Sequence, residues 1–132
     1  AVPDLPGLLD RLIARGFALG VATHDTEEGA RVQLHATGAL DRFGFIAGYD
    51  SGHALKPAPD MLLAFARCAG IPPASVVMVG DSRHDLEMVP AAGAALAVGV
   101  LTGPAVAADL APHAHHILPS IADLPALLDR LG

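Results

Sequence analysis

Cysteine, aromatic rings and positive charge are scarce in this chain, and each scarcity excludes something. The one cysteine, Cys68, cannot build an internal disulfide framework, which fits a reducing compartment and makes the cytoplasm the expected location. Aromatic residues are only 4% of the chain. Lys and Arg total 8 against 14 Asp and Glu, a net charge of −6. That balance argues against nucleic acid or an anionic membrane as the main partner. Long apolar runs are missing too: Asp, Arg, His, Gly and Pro interrupt every stretch short of the roughly 20 residues that a membrane-spanning helix needs. The opening Ala1-Val2-Pro3-Asp4 has neither the basic start nor the apolar centre of a secretory leader. What is present instead is 52% hydrophobic residues, with many Ala, Leu and Val, over 132 positions. That supply suits one α/β domain over residues 1–132 and not a disordered or fibrous chain.

Helix-period and strand-period segments alternate. Leu5, Leu8, Leu9, Leu12 and Ile13 recur at helical spacing, with Gly16 as the stop. Phe17 to Ala22 is a short apolar run ending in Thr23-His24-Asp25, which predicts a buried parallel strand with polar groups at its carboxyl end. Thr26 is placed to cap a second helix, with Glu27 and Glu28 in its first turn and an end near Gly38. Phe45 to Gly48 reads as a weaker strand, and Pro57 and Pro59 open a helix through Met61, Leu62, Phe65 and Cys68 to Gly70. After a turn at Pro72-Pro73-Ala74-Ser75, Val76 to Val79 is the clearest strand and runs into a helix start at Gly80-Asp81-Ser82. Pro90 within that helix predicts a kink or an early end. Ala94 to Val100 and His116 to Leu118 read as strands, the second at an edge, and Ser120 with Asp123 caps a last helix. Strands joined by helical crossovers imply a three-layer, mainly parallel sheet.

Three groups fall at predicted carboxyl ends of strands or just beyond, the edge where open α/β sheets bind ligands. In Gly80-Asp81-Ser82-Arg83-His84-Asp85 the glycine permits a tight exit, and Asp81 and Asp85, four apart, share one side of a helical turn. Two hard oxygen ligands suit Mg²⁺, which takes one or two carboxylates together with waters and a substrate phosphate. The same stretch also reads as a capped helix with an acid in its first turn. Thr23 and His24 stand between a strand and a helix start, where a hydroxyl and nearby amides can bind a phosphoryl oxygen; ordinary helix capping is the plainer alternative. Lys56, held by Pro57, can set a point charge over a phosphate, although most lysines are simply solvated.

Together and in this order the three groups resemble the signature of the haloacid dehalogenase-like (HAD-like) hydrolases. Thr23 matches the Ser/Thr of the second motif, Lys56 the lysine of the third, and Gly80-Asp81-Ser82-Arg83-His84-Asp85 the acidic fourth. The wider text agrees: Leu-Leu-Asp-Arg-Leu-Ile-Ala-Arg-Gly before the second motif, Lys-Pro-Ala-Pro-Asp-Met at the third, and Ala-Ala-Gly before the next strand. The flavour is that of the phosphoglycolate-phosphatase-like branch. The resemblance implies a Rossmann-like core and a Mg²⁺-dependent phosphomonoesterase acting on a small phosphorylated metabolite through an aspartyl-phosphate. In that scheme Asp81 and Asp85 hold the metal, Lys56 neutralises the phosphoryl group, and Thr23 with His24 contacts it.

Two departures qualify the match. His24 stands where the family usually has Asn. No Asp-x-Asp occurs anywhere in the sequence, so the first motif, which carries the nucleophile, is absent. The expectation is the C-terminal part of a longer core, without nucleophile strand or cap, and inactive alone. By resemblance the missing strand lies between the strand ending at Thr23 and the one ending at Asp81. Its absence leaves both neighbours with unpaired backbone or lets them close up, and a homodimer formed by strand exchange is one way to fill the space. A catalytically inactive binding module is the alternative. A phospho-receiver domain fits poorly, because there the paired acids come early and the lysine last.

The other polar residues read as structural. His113, His115 and His116 lack the Cys or carboxylate that would complete a tetrahedral metal site. His84 is expected at the surface, and Cys68, Met61, Leu62 and Phe65 in the core.

Overall fold

A computed structural model describes residues 4–101 and 106–131. Ala1–Pro3, on which the expectation about a secretory leader rests, fall outside the described residues. Six α-helices and five strands alternate among the described residues: α1 (Leu5–Ala14), β1 (Gly20–Ala22), α2 (Glu27–Ala36), β2 (Phe45–Ala47), α3 (Asp60–Ala69), β3 (Val77–Gly80), α4 (Arg83–Ala92), β4 (Leu96–Val100), α5 (Ala107–Leu110), β5 (His116–Leu118) and α6 (Leu124–Leu131). No helix among them is long and apolar enough to cross a membrane.

All strand pairs are parallel, as the alternation predicts, but they make two sheets and not one. β1 pairs with β2, in register Val21 to Ile46, and β3, β4 and β5 form a separate three-stranded sheet with Val79 opposite Val98 and Gly99 opposite Ile117. Of the two outcomes expected for a missing central strand, the structure takes the unpaired one: β1 and β3 each keep a free edge. Burial reports the same thing. β4, bonded on both sides, is buried from Ala97 to Val100, whereas Val77 to Val79 of β3 are only half-buried and Gly20 of β1 is exposed.

The two-residue period of the strands sorts side chains between two helical layers. Val77, Val79, Val98 and Val100 face a cluster built from Leu9 and Leu12 of α1 and Leu124, Leu127 and Leu128 of α6, with Leu19 and Leu34 packed against it. Met78 and Ala97 face the other way, toward Leu62 and Ala66 of α3, Leu86, Met88 and Val89 of α4, and Leu110 of α5. The α1 layer therefore touches residues beside both free edges and holds the two sheets in one body. Arg15 adds a surface tie from α1 to α6 by pairing with Asp129 at 3.0 Å. Arg42 grips both carboxylate oxygens of Asp10, at 3.1 and 3.2 Å. This hydrogen bonding holds the Asp10 carboxyl below the usual carboxylate range and the Arg42 guanidinium above its own.

Several boundaries differ from the sequence reading, each for a local reason. β1 starts at Gly20 and not at Phe17, because Gly16 turns left-handed (φ +91°) and the Phe17 amide bonds back to the Leu12 carbonyl to finish α1. α3 begins at Asp60, beyond both prolines, with Pro59 as its N-cap and the Leu63 amide bonded to the Pro59 carbonyl at 2.9 Å. Pro90 lies inside α4, which ends two residues later at Ala92, where Gly93 adopts φ +70°. Ser120 caps a 3₁₀ turn, Ile121–Asp123, that leads into α6. Cys68 is exposed, contrary to its expected core position: it sits in the last turn of α3, overhanging the start of β2, with its thiol 3.6 Å from the Gly44 carbonyl.

Candidate active site

Thr23 and His24 follow the carboxyl end of β1, and Asp81 and Asp85 that of β3, two strands that belong to different sheets. On the β3 side the strand exits through Gly80, and Ser82 caps α4. Gly80 is not in a left-handed conformation. Its role is close approach, because any side chain at that position would run into the carbon atoms of Asp85. Asp85 folds back over the strand end and is buried, the one charged residue so placed among the described residues. One of its oxygens takes a hydrogen bond from Lys56 and the other takes one from the Ser82 hydroxyl at 3.2 Å. The Lys56 and Asp85 side chains are only 8% and 9% exposed. A buried charge needs its partner, and here each supplies the other's. Asp81, by contrast, is exposed, and its carboxylate has no hydrogen-bond or ion-pair partner among the described residues.

On the β1 side, the Thr23 amide continues the ladder to the Ala47 carbonyl at 2.9 Å, and its hydroxyl oxygen accepts from the Asp25 amide at 3.1 Å. The hydroxyl proton remains to be donated elsewhere. His24 is exposed at the tip of the same turn. The amides that were expected to help bind phosphate here are partly occupied. Gly29 donates to the Thr26 hydroxyl, and Glu27 donates to Asp50, each at 2.9 Å. The structure thus brings Lys56 and Asp85 into contact, and among the described residues no hydrogen bond or ion pair joins Thr23, His24 or the Asp81 carboxylate to that pair.

Among the described residues no three His, Cys, Asp or Glu side chains are grouped to hold a metal ion. A Mg²⁺ ion does not require three, since waters and substrate phosphate complete its shell. The donor set fits it through Asp81, the free carboxylate, whereas both Asp85 oxygens are engaged. The three histidines near the end of the chain do not act together: His115 Nδ1 accepts from the Ala97 amide at 2.9 Å, while His113 lies 3.8 Å from Glu87. Sequence reading missed the loop after β2. There Asp50 and Ser51 bind Glu27, and Gly48 packs so tightly on the Asp25–Glu27 backbone that a side chain would collide with it. The signal was the turn-rich Gly48-Tyr49-Asp50-Ser51-Gly52.

Comparison with known proteins gives a consistent set of similarities. A family model described as haloacid dehalogenase-like hydrolase matches residues 1–93. A probable phosphatase, IndB, of Dickeya dadantii is 39% identical over 111 residues, covering 77% of this chain and 47% of its own. The phosphoglycolate phosphatases of Neisseria meningitidis and Escherichia coli K12 are 41% identical over 101 residues and 36% identical over 91, covering 76% and 69% of this chain. The chain spans less than half the length of each of these relatives, 47%, 43% and 36%. Among solved structures, a HAD family hydrolase of Deinococcus radiodurans with bound phosphate and sodium superposes with a TM-score of 0.87 at 28% identity, covering 98% of this chain and 59% of that one. A HAD phosphatase of Thermococcus onnurineus gives a TM-score of 0.83 at 28% identity, covering 97% and 58%.

Proposed function

The chain belongs to the haloacid dehalogenase-like hydrolases, on their phosphoglycolate-phosphatase-like branch, and on that premise we propose that the protein carrying it is a Mg²⁺-dependent phosphomonoesterase of small phosphorylated metabolites. The observation that carries the reading is the pairing of a free carboxylate, Asp81, with a buried Lys56–Asp85 pair at the carboxyl edge of the strands. In this reading Asp81 holds the Mg²⁺, which when bound would screen the repulsion between an anionic nucleophile and an anionic ester. Asp85 keeps Lys56 aimed, and Lys56 neutralises the phosphoryl oxygens as charge shifts onto them. Thr23 donates its hydroxyl proton to one of those oxygens, with His24 beside it. The attacking aspartate, which would pass through an aspartyl-phosphate, is supplied by sequence outside these 132 residues and occupies the gap between β1 and β3. Phosphate bound to the Deinococcus relative supports the same ligand class. The reading also carries a soluble, cytoplasmic protein with no nucleic-acid or membrane partner.

The test is hydrolysis of p-nitrophenyl phosphate by the longer protein with and without Mg²⁺, and again after Asp81→Ala. We expect Mg²⁺-dependent turnover and a loss of at least about 100-fold in kcat, the scale of removing one charge-stabilising group. The absence of an Asp-x-Asp run favours a second reading, a non-catalytic binding module. A longer protein without turnover decides for it.

A further inference from the structure

The loop that leaves β2 does more than lead to Lys56. Asp50 Oδ1 accepts the Glu27 amide at 2.9 Å, in the first turn of α2. Ser51 takes the Gly48 amide and donates to Glu27 Oε1, both at 2.9 Å. The Tyr49 amide donates to the Asp25 carbonyl, again at 2.9 Å. The Thr23-His24-Asp25 turn is thereby fastened to Gly48–Ser51, on the chain segment that continues into Lys56. Two candidate phosphate-contacting residues from different elements share one clasp. Asp50 also changes the electrostatics of the helix end. A helix N-terminus ordinarily attracts an anion through its open amides and dipole. Here the Glu27 amide is occupied, and Asp50, Glu27 and Glu28 bring three carboxylates to that end.

We propose that Asp50 is a positioning residue of the site: its carboxylate stands at the start of α2 in place of a ligand anion and holds the Thr23 turn in register with the Lys56 segment. The proposal rests on the phosphatase reading for its kinetic arm only. Asp50→Ala removes the acceptor, while Asp50→Asn keeps an Oδ1 that can still accept the Glu27 amide, since Asn and Asp serve nearly equally at helix starts. In the longer protein we expect Asp50→Ala to lower kcat on p-nitrophenyl phosphate about 10-fold with KM within about 2-fold, as misplacement of groups acting in the transition state does. Asp50→Asn should stay within about 2-fold of wild type. In the same protein, hydrogen exchange at the amides of Glu27, Asp25 and Tyr49 should quicken about 3- to 10-fold in Asp50→Ala and not in Asp50→Asn, the range of a lost cap. Unchanged exchange in Asp50→Ala, or an Asn variant as impaired as the Ala variant, overturns the proposal. A wild type without turnover sinks the phosphatase reading instead, and the exchange measurement then still decides whether Asp50 holds the turn.

Discussion

Lys56 and Asp85 are so little exposed that the energy of either charge depends on the other. Removing one partner of a buried pair strands the remaining charge, which typically costs about 3–5 kcal/mol, whereas replacing both by apolar groups is often close to neutral. Lys56→Met should therefore lower the urea-unfolding free energy by about that amount, and Lys56→Met with Asp85→Leu should recover most of it. Equal losses in the single and double variants would contradict the pairing. Gly80→Ala acts on the same spot by pushing a methyl into Asp85. We expect a cost of about 1–3 kcal/mol, the range for overpacking a tight contact, read in the same unfolding assay. Spacing alone singles out Gly80, Asp81 and Asp85 in the sequence. Their division of labour is not legible there. Lys56 and Asp85 lie 29 positions apart, and no local pattern reveals that this lysine takes one of the two acids and leaves the other free.

The elements show a similar divide between what periodicity carries and what local backbone chemistry decides. The apolar spacing of α1, α3 and α6 and the runs of β3 and β4 gave their places within a few residues. Element ends depended on single events that the pattern cannot weigh, such as the Phe17 amide closing α1 or Pro59 serving as the N-cap of α3. One tie between elements makes a pH prediction. Arg42, the last residue of the 3₁₀ turn Leu40–Arg42, holds the Asp10 carboxyl of α1 below its ordinary range. A carboxyl depressed by folding adds stability above its unfolded value, and that contribution fades as pH falls toward the folded one. The difference in Tm between wild type and Asp10→Asn should accordingly be present at neutral pH and shrink to nothing in acid below about pH 4. The effect is small because the pair is on the surface. A difference that grows on acidification contradicts the assignment.

At the scale of the whole molecule, the parallel strands and covering helices followed from alternation, but the break between them followed only from the resemblance to longer proteins. Two free strand edges within one body leave backbone groups facing the gap. Amides of β1 and β3 that do not bond to β2 or β4 should exchange with solvent far faster than those of β4 in the isolated chain, and slow when the rest of the longer protein is present. Uniformly slow exchange in the isolated chain would rule out the open gap.

No ladder of hydrogen bonds spans from β1 to β3, so the span from Thr23 to Asp81 is gauged by what is wedged behind the sheets. Leu9 and Leu12 of α1 belong to the cluster against which Leu19, Val77 and Val79 all pack. They act as a shim. Trimming Leu12 to alanine should reset the bite of the jaws above it. Catalysis in the longer protein would then answer to carpentry in the core as well as to the groups that touch phosphate.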